Sequence, residues 1–301
     1  MNMIDTHAHY DDEAFAPDLP QVLEEARAAG VTHIINAATG FDSFAACQTL
    51  TKEHEMMFTA IGIHPERMFE TMRESARIRE RLEQGEDDAV MPYEDRIAAF
   101  CADSKVVAIG EIGLDYHYET PAPDASEEEK AVAAGWDHGS DPVNWPPRRN
   151  QRHVFLTQLM LAKQKGLPVV VHSRDAAEDT LRILKELRAG DIGCDMHCFG
   201  YSRESAREFL DIGCYLGIGG VSTFKNGRKL KEVIAYAPLD RLLLETDAPY
   251  LAPEPYRGKR NTSGYLPYVA DAIAEIKGIS REQVTEQTTE NARRLFAKLP
   301  R

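Results

Sequence analysis

Short apolar stretches alternate with longer amphipathic ones through nearly all of this 301-residue chain. The apolar stretches cover residues 3–8, 31–37, 56–63, 106–110, 168–171, 192–197, 215–218 and 241–245. Several are continuous and β-branched, such as Val169-Val170-Val171. A strand buried on both faces of a parallel sheet reads this way, because neither face meets water. Helical periodicity fills the intervals 19–29, 41–53, 70–84, 93–102, 151–165, 175–188, 202–212 and 228–235. Two further helices are expected over 266–277 and 281–299, the second with Ser280 in N-cap position. Eight strand–helix alternations predict the α/β class and a (β/α)8 TIM barrel, one domain over residues 1–301. A doubly wound open sheet is the runner-up. It carries a glycine-rich loop after its first strand, and here no glycine follows His9 until Gly30.

Two segments exceed a minimal barrel. Residues 67–104 form a long charged helical connection, and residues 119–150 a Pro-, Asp- and Glu-rich loop with Trp136 and Trp145. The loop follows the fourth strand, so it emerges on the C-terminal face, and its tryptophans suit a packed lid. The formal net charge of −14 argues against a broad nucleic-acid footprint. It leaves room for an enzyme that takes a strand end into a metal pocket, because bound cations reset the local charge. Five cysteines without a Cys-x-x-Cys spacing fit reduced thiols in the cytoplasm. No apolar run reaches the ~18 residues of a membrane span, the first strand leaves no room for a targeting segment, and no obligate protein partner is evident.

The barrel's C-terminal mouth is where such enzymes place their chemistry. Strand one ends in His7-Ala8-His9, whose imidazoles leave one face of one strand. Strand four runs into Glu111, strand five into His172, strand six into His197, and strand eight into Asp247. A lone histidine at a strand end is more often a packed residue than a ligand. Five strands delivering ligand-type residues to one end change that balance. Four imidazoles and two carboxylates are too many for one tetrahedral ion and suit two ions with a carboxylate between them.

These motifs, in order, resemble the TatD family of metal-dependent deoxyribonucleases within the amidohydrolase superfamily. The resemblance runs from Ile4-Asp5-Thr6-His7-Ala8-His9 to Asn291-Ala292-Arg293-Arg294-Leu295-Phe296. It includes Gly62-Ile63-His64-Pro65, Gly110-Glu111-Ile112-Gly113-Leu114-Asp115-Tyr116, Val171-His172-Ser173-Arg174-Asp175, His197-Cys198-Phe199 and Leu244-Glu245-Thr246-Asp247-Ala248-Pro249. It implies that His7, His9, Glu111 and Asp247 hold one ion, and that Glu111, His172 and His197 hold a second. Glu111 then bridges, where many amidohydrolases use a carboxylated lysine, and this fits phosphoester hydrolysis. Segments 67–104 and 119–150 are longer than the family pattern, and Gly200-Tyr201-Ser202 replaces its usual small-residue turn.

Asp247 and Glu111 are the candidate catalytic residues, Asp247 also as base. Arg174 can clamp a phosphate with its planar fork. His64 is expected to meet phosphate or a third, weaker ion, and Tyr116 a base or sugar. Arg257, Lys259 and Arg260 form a basic loop suited to phosphate. Asp5 and Glu245, two residues before His7 and Asp247, are expected to fix ligand tautomers from behind. The expected activity is phosphodiester hydrolysis with two divalent cations (Zn, Mn, Mg, Ni or Co), as a 3'-5' or end-trimming deoxyribonuclease on single-stranded or frayed DNA. The alternative is a metal-dependent carboxylic ester hydrolase or deacylase using the same centre.

Overall fold

The computed structural model describes residues 2–68, 93–117 and 147–300. The helix expected over 70–84 and both tryptophans lie outside the described residues. Eight strands are parallel and hydrogen-bonded in sequence order. They are β1 (Met3–Ala8), β2 (Val31–Ala37), β3 (Met57–Ala60) and β4 (Val106–Asp115), then β5 (Val169–Arg174), β6 (Cys194–Met196), β7 (Tyr215–Ile218) and β8 (Leu242–Leu244). The helices follow as α1 (Leu19–Ala28), α2 (Phe41–Glu53), α3 (Tyr93–Phe100), α4 (Pro147–Lys165) and α5 (Ala177–Glu186). They continue as α6 (Arg203–Asp211), α7 (Arg228–Tyr236), α8 (Leu266–Lys277) and α9 (Arg281–Leu295).

The chain past β8 closes the barrel onto β1. Asp247 N–H donates to the His7 carbonyl at 2.9 Å and His9 N–H to the Ala248 carbonyl at 2.7 Å. Closure and placement of three candidate ligands are therefore one event. At the strand starts, Ile4, Phe58, Val107, Val170 and Leu243 cluster with Leu295 and Phe296 from the chain's end. That apolar plug fills the N-terminal half and leaves the C-terminal half to polar groups. Among the described residues no helix is long and apolar enough to cross a membrane.

Two strands run further than their apolar pattern suggests. β4 continues through Glu111 to Asp115, and β5 through His172 to Arg174, pairing Gly113 with His172 and Asp115 with Arg174. Backbone pairing persists where side chains turn polar, so hydrophobicity alone stops the strand too early. Gly113 permits the close approach: its φ is +148°, and a Cβ there would lie 1.9 Å from the His172 carbonyl oxygen. Residues 147–150 of the expected loop form the first turn of α4. Ser280 caps α9 in a reciprocal capping box with Gln283.

Candidate metal centre

Glu111 stands at the middle of the mouth, 3% exposed. Its two carboxylate oxygens face different imidazoles. Oε2 lies 3.3 Å from His7 Nε2 and 3.7 Å from His9 Nε2. Oε1 lies 2.9 Å from His172 Nδ1 and 3.7 Å from His197 Nε2. Asp247 Oδ1 closes the rim, 3.4 Å from His9 Nε2, 3.9 Å from His7 Nε2 and 3.8 Å from His197 Nε2.

Hydrogen-bond partners assign which nitrogen faces inward. His9 Nδ1–H donates to the Ala37 carbonyl at 2.9 Å, so its Nε2 lone pair faces the cluster. Glu245 Oε2 accepts from His197 Nδ1 at 3.2 Å and turns Nε2 inward. Asp115 Oδ2 accepts from His172 Nε2 at 3.1 Å, which leaves Nδ1 to face Glu111. His7 Nδ1 is buried and has no partner among the described residues, and its ring stacks on His197 with centroids 3.4 Å apart. His7 Nε2 and His9 Nε2 are only 3.1 Å apart. Ligand atoms around a tetrahedral ion with bonds of ~2.1 Å sit roughly 3.4 Å from one another. The five edges that involve His7 or His9 within the His7–His9–Glu111–Asp247 set run from 3.1 to 3.9 Å and bracket that value. His7, His9 and Glu111 could hold an ion, and so could His64, Glu111 and His172, or His7, His197 and Asp247. The donor set fits divalent cations.

Electrostatics agree. Burial alone would raise the Glu111 carboxyl, but His7, His64 and His197 outweigh it and hold it well below the usual range. Burial also disfavours charge on His9 and His172. Asp247 and Glu111 overcome it at His9, Asp115 and Glu111 at His172, and each is pushed up to about 9. Clustered carboxylates thus draw positive charge into the mouth, a demand that divalent ions meet while displacing protons. Asp175, Cys198 and Asp247, at the strand ends around the centre, have φ of 53°, 47° and 58°. Left-handed backbone at non-glycine residues is costly and concentrates at functional sites.

His64 and Arg174 line the same depression. His64 Nδ1 accepts from the Glu66 N–H at 3.2 Å, so Nε2 carries the proton, 3.6 Å from Glu111 Oε1. Burial pushes its pKa down to about 3, which makes it a neutral donor. Four other expected contacts are engaged elsewhere. Tyr116 OH donates to Asp179 at 2.7 Å. The Arg257 guanidinium sits 4.2 Å from the Phe224 ring centre, and Lys259 lies 5.7 Å from that of Tyr256. Arg260 forks onto both Asp18 oxygens, at 2.8 and 2.7 Å, and also reaches the Ala14 carbonyl. It ties the β8 loop to the entry of α1. Arg260→Ala is therefore expected to lower the thermal midpoint with metal content unchanged. Weaker DNA binding at an unchanged midpoint would contradict this.

Glu245 pairs with an imidazole nitrogen, whereas Asp5 pairs with backbone and hydroxyl donors. Asp5 accepts from the His7 N–H at 3.3 Å, Thr246 N–H at 3.0 Å and the Thr246 and Ser263 hydroxyls at 2.6 Å each. The β1–β2 register shifts between Asp5 and Ala8, so the simple two-residue alternation fails there. Asp115, which orients His172, is absent from the expected set. Its signal was available: it lies four residues after Glu111 on a strand, hence on the same face.

Gly217 on β7 supports the same network. A Cβ there would lie 2.2 Å from Glu245 Oε2 and 2.8 Å from its Cδ. That carboxylate is fixed on both sides, since Oε1 accepts the Cys198 N–H at 2.8 Å. Gly217→Ala should displace it, release His197 and weaken one ion by ~10–100-fold in a chelator competition. Partial recovery is expected in Gly217→Ala/Glu245→Asp, whose shorter side chain clears the new methyl. Unchanged ion affinity in the single variant would refute this coupling.

An eight-stranded parallel barrel with imidazoles and carboxylates on its C-terminal rim carries a candidate metal site on the face where barrel enzymes place their chemistry. The sequence model for TatD related DNase matches residues 4–297. An uncharacterized metal-dependent hydrolase of Bacillus subtilis, YabD, is 40% identical over 98% of both chains. A protein of Cronobacter sakazakii named 3'-5' ssDNA/RNA exonuclease TatD is 31% identical over 98% of both. The crystal structure of YjjV, a TatD homologue of Escherichia coli, superposes with a TM-score of 0.74 at 28% identity, covering 99% of this chain and 98% of that one. The chain belongs to the TatD family and is a metal-dependent hydrolase.

Proposed function

We propose that the chain hydrolyses phosphodiesters at the ends of single-stranded or frayed DNA, with two divalent cations that Glu111 bridges. The observation that carries the reading is the division of Glu111, with Oε2 towards His7 and His9 and Oε1 towards His172 and His197. His7, His9, Glu111 and Asp247 would hold one cation, and Glu111, His172 and His197 the other. Bound cations act as Lewis acids that acidify water and neutralise charge on phosphate oxygens.

The protein's own groups supply orientation and proton transfer. Asp247 stays ionised because His9 and His197 offset its burial. Its Oδ1 faces the imidazoles, and Oδ2 takes the proton of the attacking water. His64 donates Nε2–H to a phosphate oxygen rather than binding a third ion, and Arg174 clamps the same group. The family model and the Cronobacter relative's name support a nucleic-acid substrate. A charge of −14 favours insertion of a strand end over binding along a duplex.

The test sets end-labelled single-stranded DNA beside an aminoacyl ester, each with and without chelator. Chelator-sensitive shortening of the DNA is expected. Cleavage of the ester alone would overturn the proposal in favour of a deacylase.

A further inference from the structure

Among the described residues at the mouth of the barrel, two depressions meet at Asp247. One, of about 460 Å³, is polar and holds His9, His64, Glu111, His172 and Arg174. The other, of about 400 Å³, lies on the β6–β8 side and has no assigned role. Phe199, Val221, Leu230 and Leu251 give it apolar walls, and Gly200 and Gly219 leave stretches of bare backbone. Arg228 and Lys229 stand on its rim, and Asp247 is the only acid among the described residues that line it. In a chain of net charge −14 that composition sets the depression apart. Its volume lies within the ~300–1,000 Å³ typical of ligand sites.

Leu251 adds a second line of argument. It is 40% exposed and holds a left-handed backbone with φ 52°. A left-handed backbone at leucine is costly and persists only where its surroundings fix it. Here the backbone is locked, because a Cβ at Gly220 would lie 2.0 Å from the Leu251 carbonyl oxygen. The β7 and β8 loops are thus pressed together with Leu251 presented outward, beside the candidate proton acceptor.

Resting on the reading of the centre as a phosphodiesterase, we propose that this second depression seats the nucleoside esterified to the phosphate under attack. The phosphate lies in the polar depression and its attached base and sugar in the apolar one, so Asp247 faces the bond between the two. The flat heterocycle covers Phe199 and Leu251, while Arg228 and Lys229 face the next phosphate along the strand. Base contacts with apolar and aromatic groups tolerate any sequence, which suits end trimming.

The test uses two end-labelled single strands, one ending in thymidine and one in an abasic residue, with metal-loaded protein. Stacking of ~1–3 kcal/mol per base predicts that wild type prefers the base-bearing end by roughly 5- to 150-fold in kcat/KM. Gly200→Trp should fill the depression, because a Cβ there meets only the Cys198 carbonyl oxygen, at 3.7 Å. The ratio between the two strands should then collapse towards one. Leu251→Asp places a carboxylate on the wall and should lower the ratio by a different route, which guards against a folding defect in the first variant. If wild type cuts both strands equally, or both variants keep the wild-type ratio, the nucleoside seat is wrong while the phosphodiesterase reading stands. If wild type cuts neither strand, the functional reading fails and this inference with it.

Discussion

Glu111→Gln is expected to leave the protein without either cation and to reduce hydrolysis by more than about 100-fold. The scale follows from outer partners of metal ligands, whose loss alone costs ~10–100-fold in affinity. Glu111 is placed to do more than such a partner, since Oε2 lies 3.3 Å from His7 Nε2 and Oε1 2.9 Å from His172 Nδ1. Glutamine keeps the volume and the packing but removes the charge that balances the imidazoles around it. Metal analysis of the purified variant, with its thermal midpoint as a folding control, checks this. Retention of both ions would show that Glu111 is not the bridge.

Asp247→Asn is expected to lower kcat by at least ~10²-fold, the usual contribution of a positioned proton acceptor. Asparagine can still donate an oxygen to an ion but cannot take a proton from water. The backbone should tolerate it, because asparagine, like aspartate, accepts the left-handed φ of 58° found there. The variant is therefore expected to keep its fold and much of its metal. Phosphodiesterase activity near the wild-type level in a metal-replete variant would remove Asp247 from proton transfer.

Much of the barrel could be read directly from the residues. Strands over 3–8, 31–37 and 215–218 and helices over 41–53 and 266–277 match their expected bounds, and turn residues such as Gly30, Gly40 and Gly278 coincide with the true ends of three of them. The ends of β4 and β5 were illegible because Glu111, Asp115, His172 and Arg174 interrupt the apolar pattern while the backbone ladder continues. The convergence of His7, His9, Glu111, His172, His197 and Asp247 was legible because a closed barrel delivers every strand end to one rim. What surrounds them was less so. Arg260 reads as a phosphate contact beside Arg257 and Lys259, yet Asp18, 242 residues earlier, holds it. Gly217 carries no chemical signal at all, and its role emerges only from the position of Glu245 across the barrel. Groups that act at the centre follow strand ends, whereas groups that orient them depend on contacts between distant strands.

The division of the centre into two cation sites is tested most directly by metal stoichiometry in a His7→Ala/His9→Ala variant beside wild type. Wild type should carry two divalent cations per chain. The variant should lose one and retain the other at His172, His197 and Glu111. Equal loss of both cations, or a wild type that binds only one, would contradict the account.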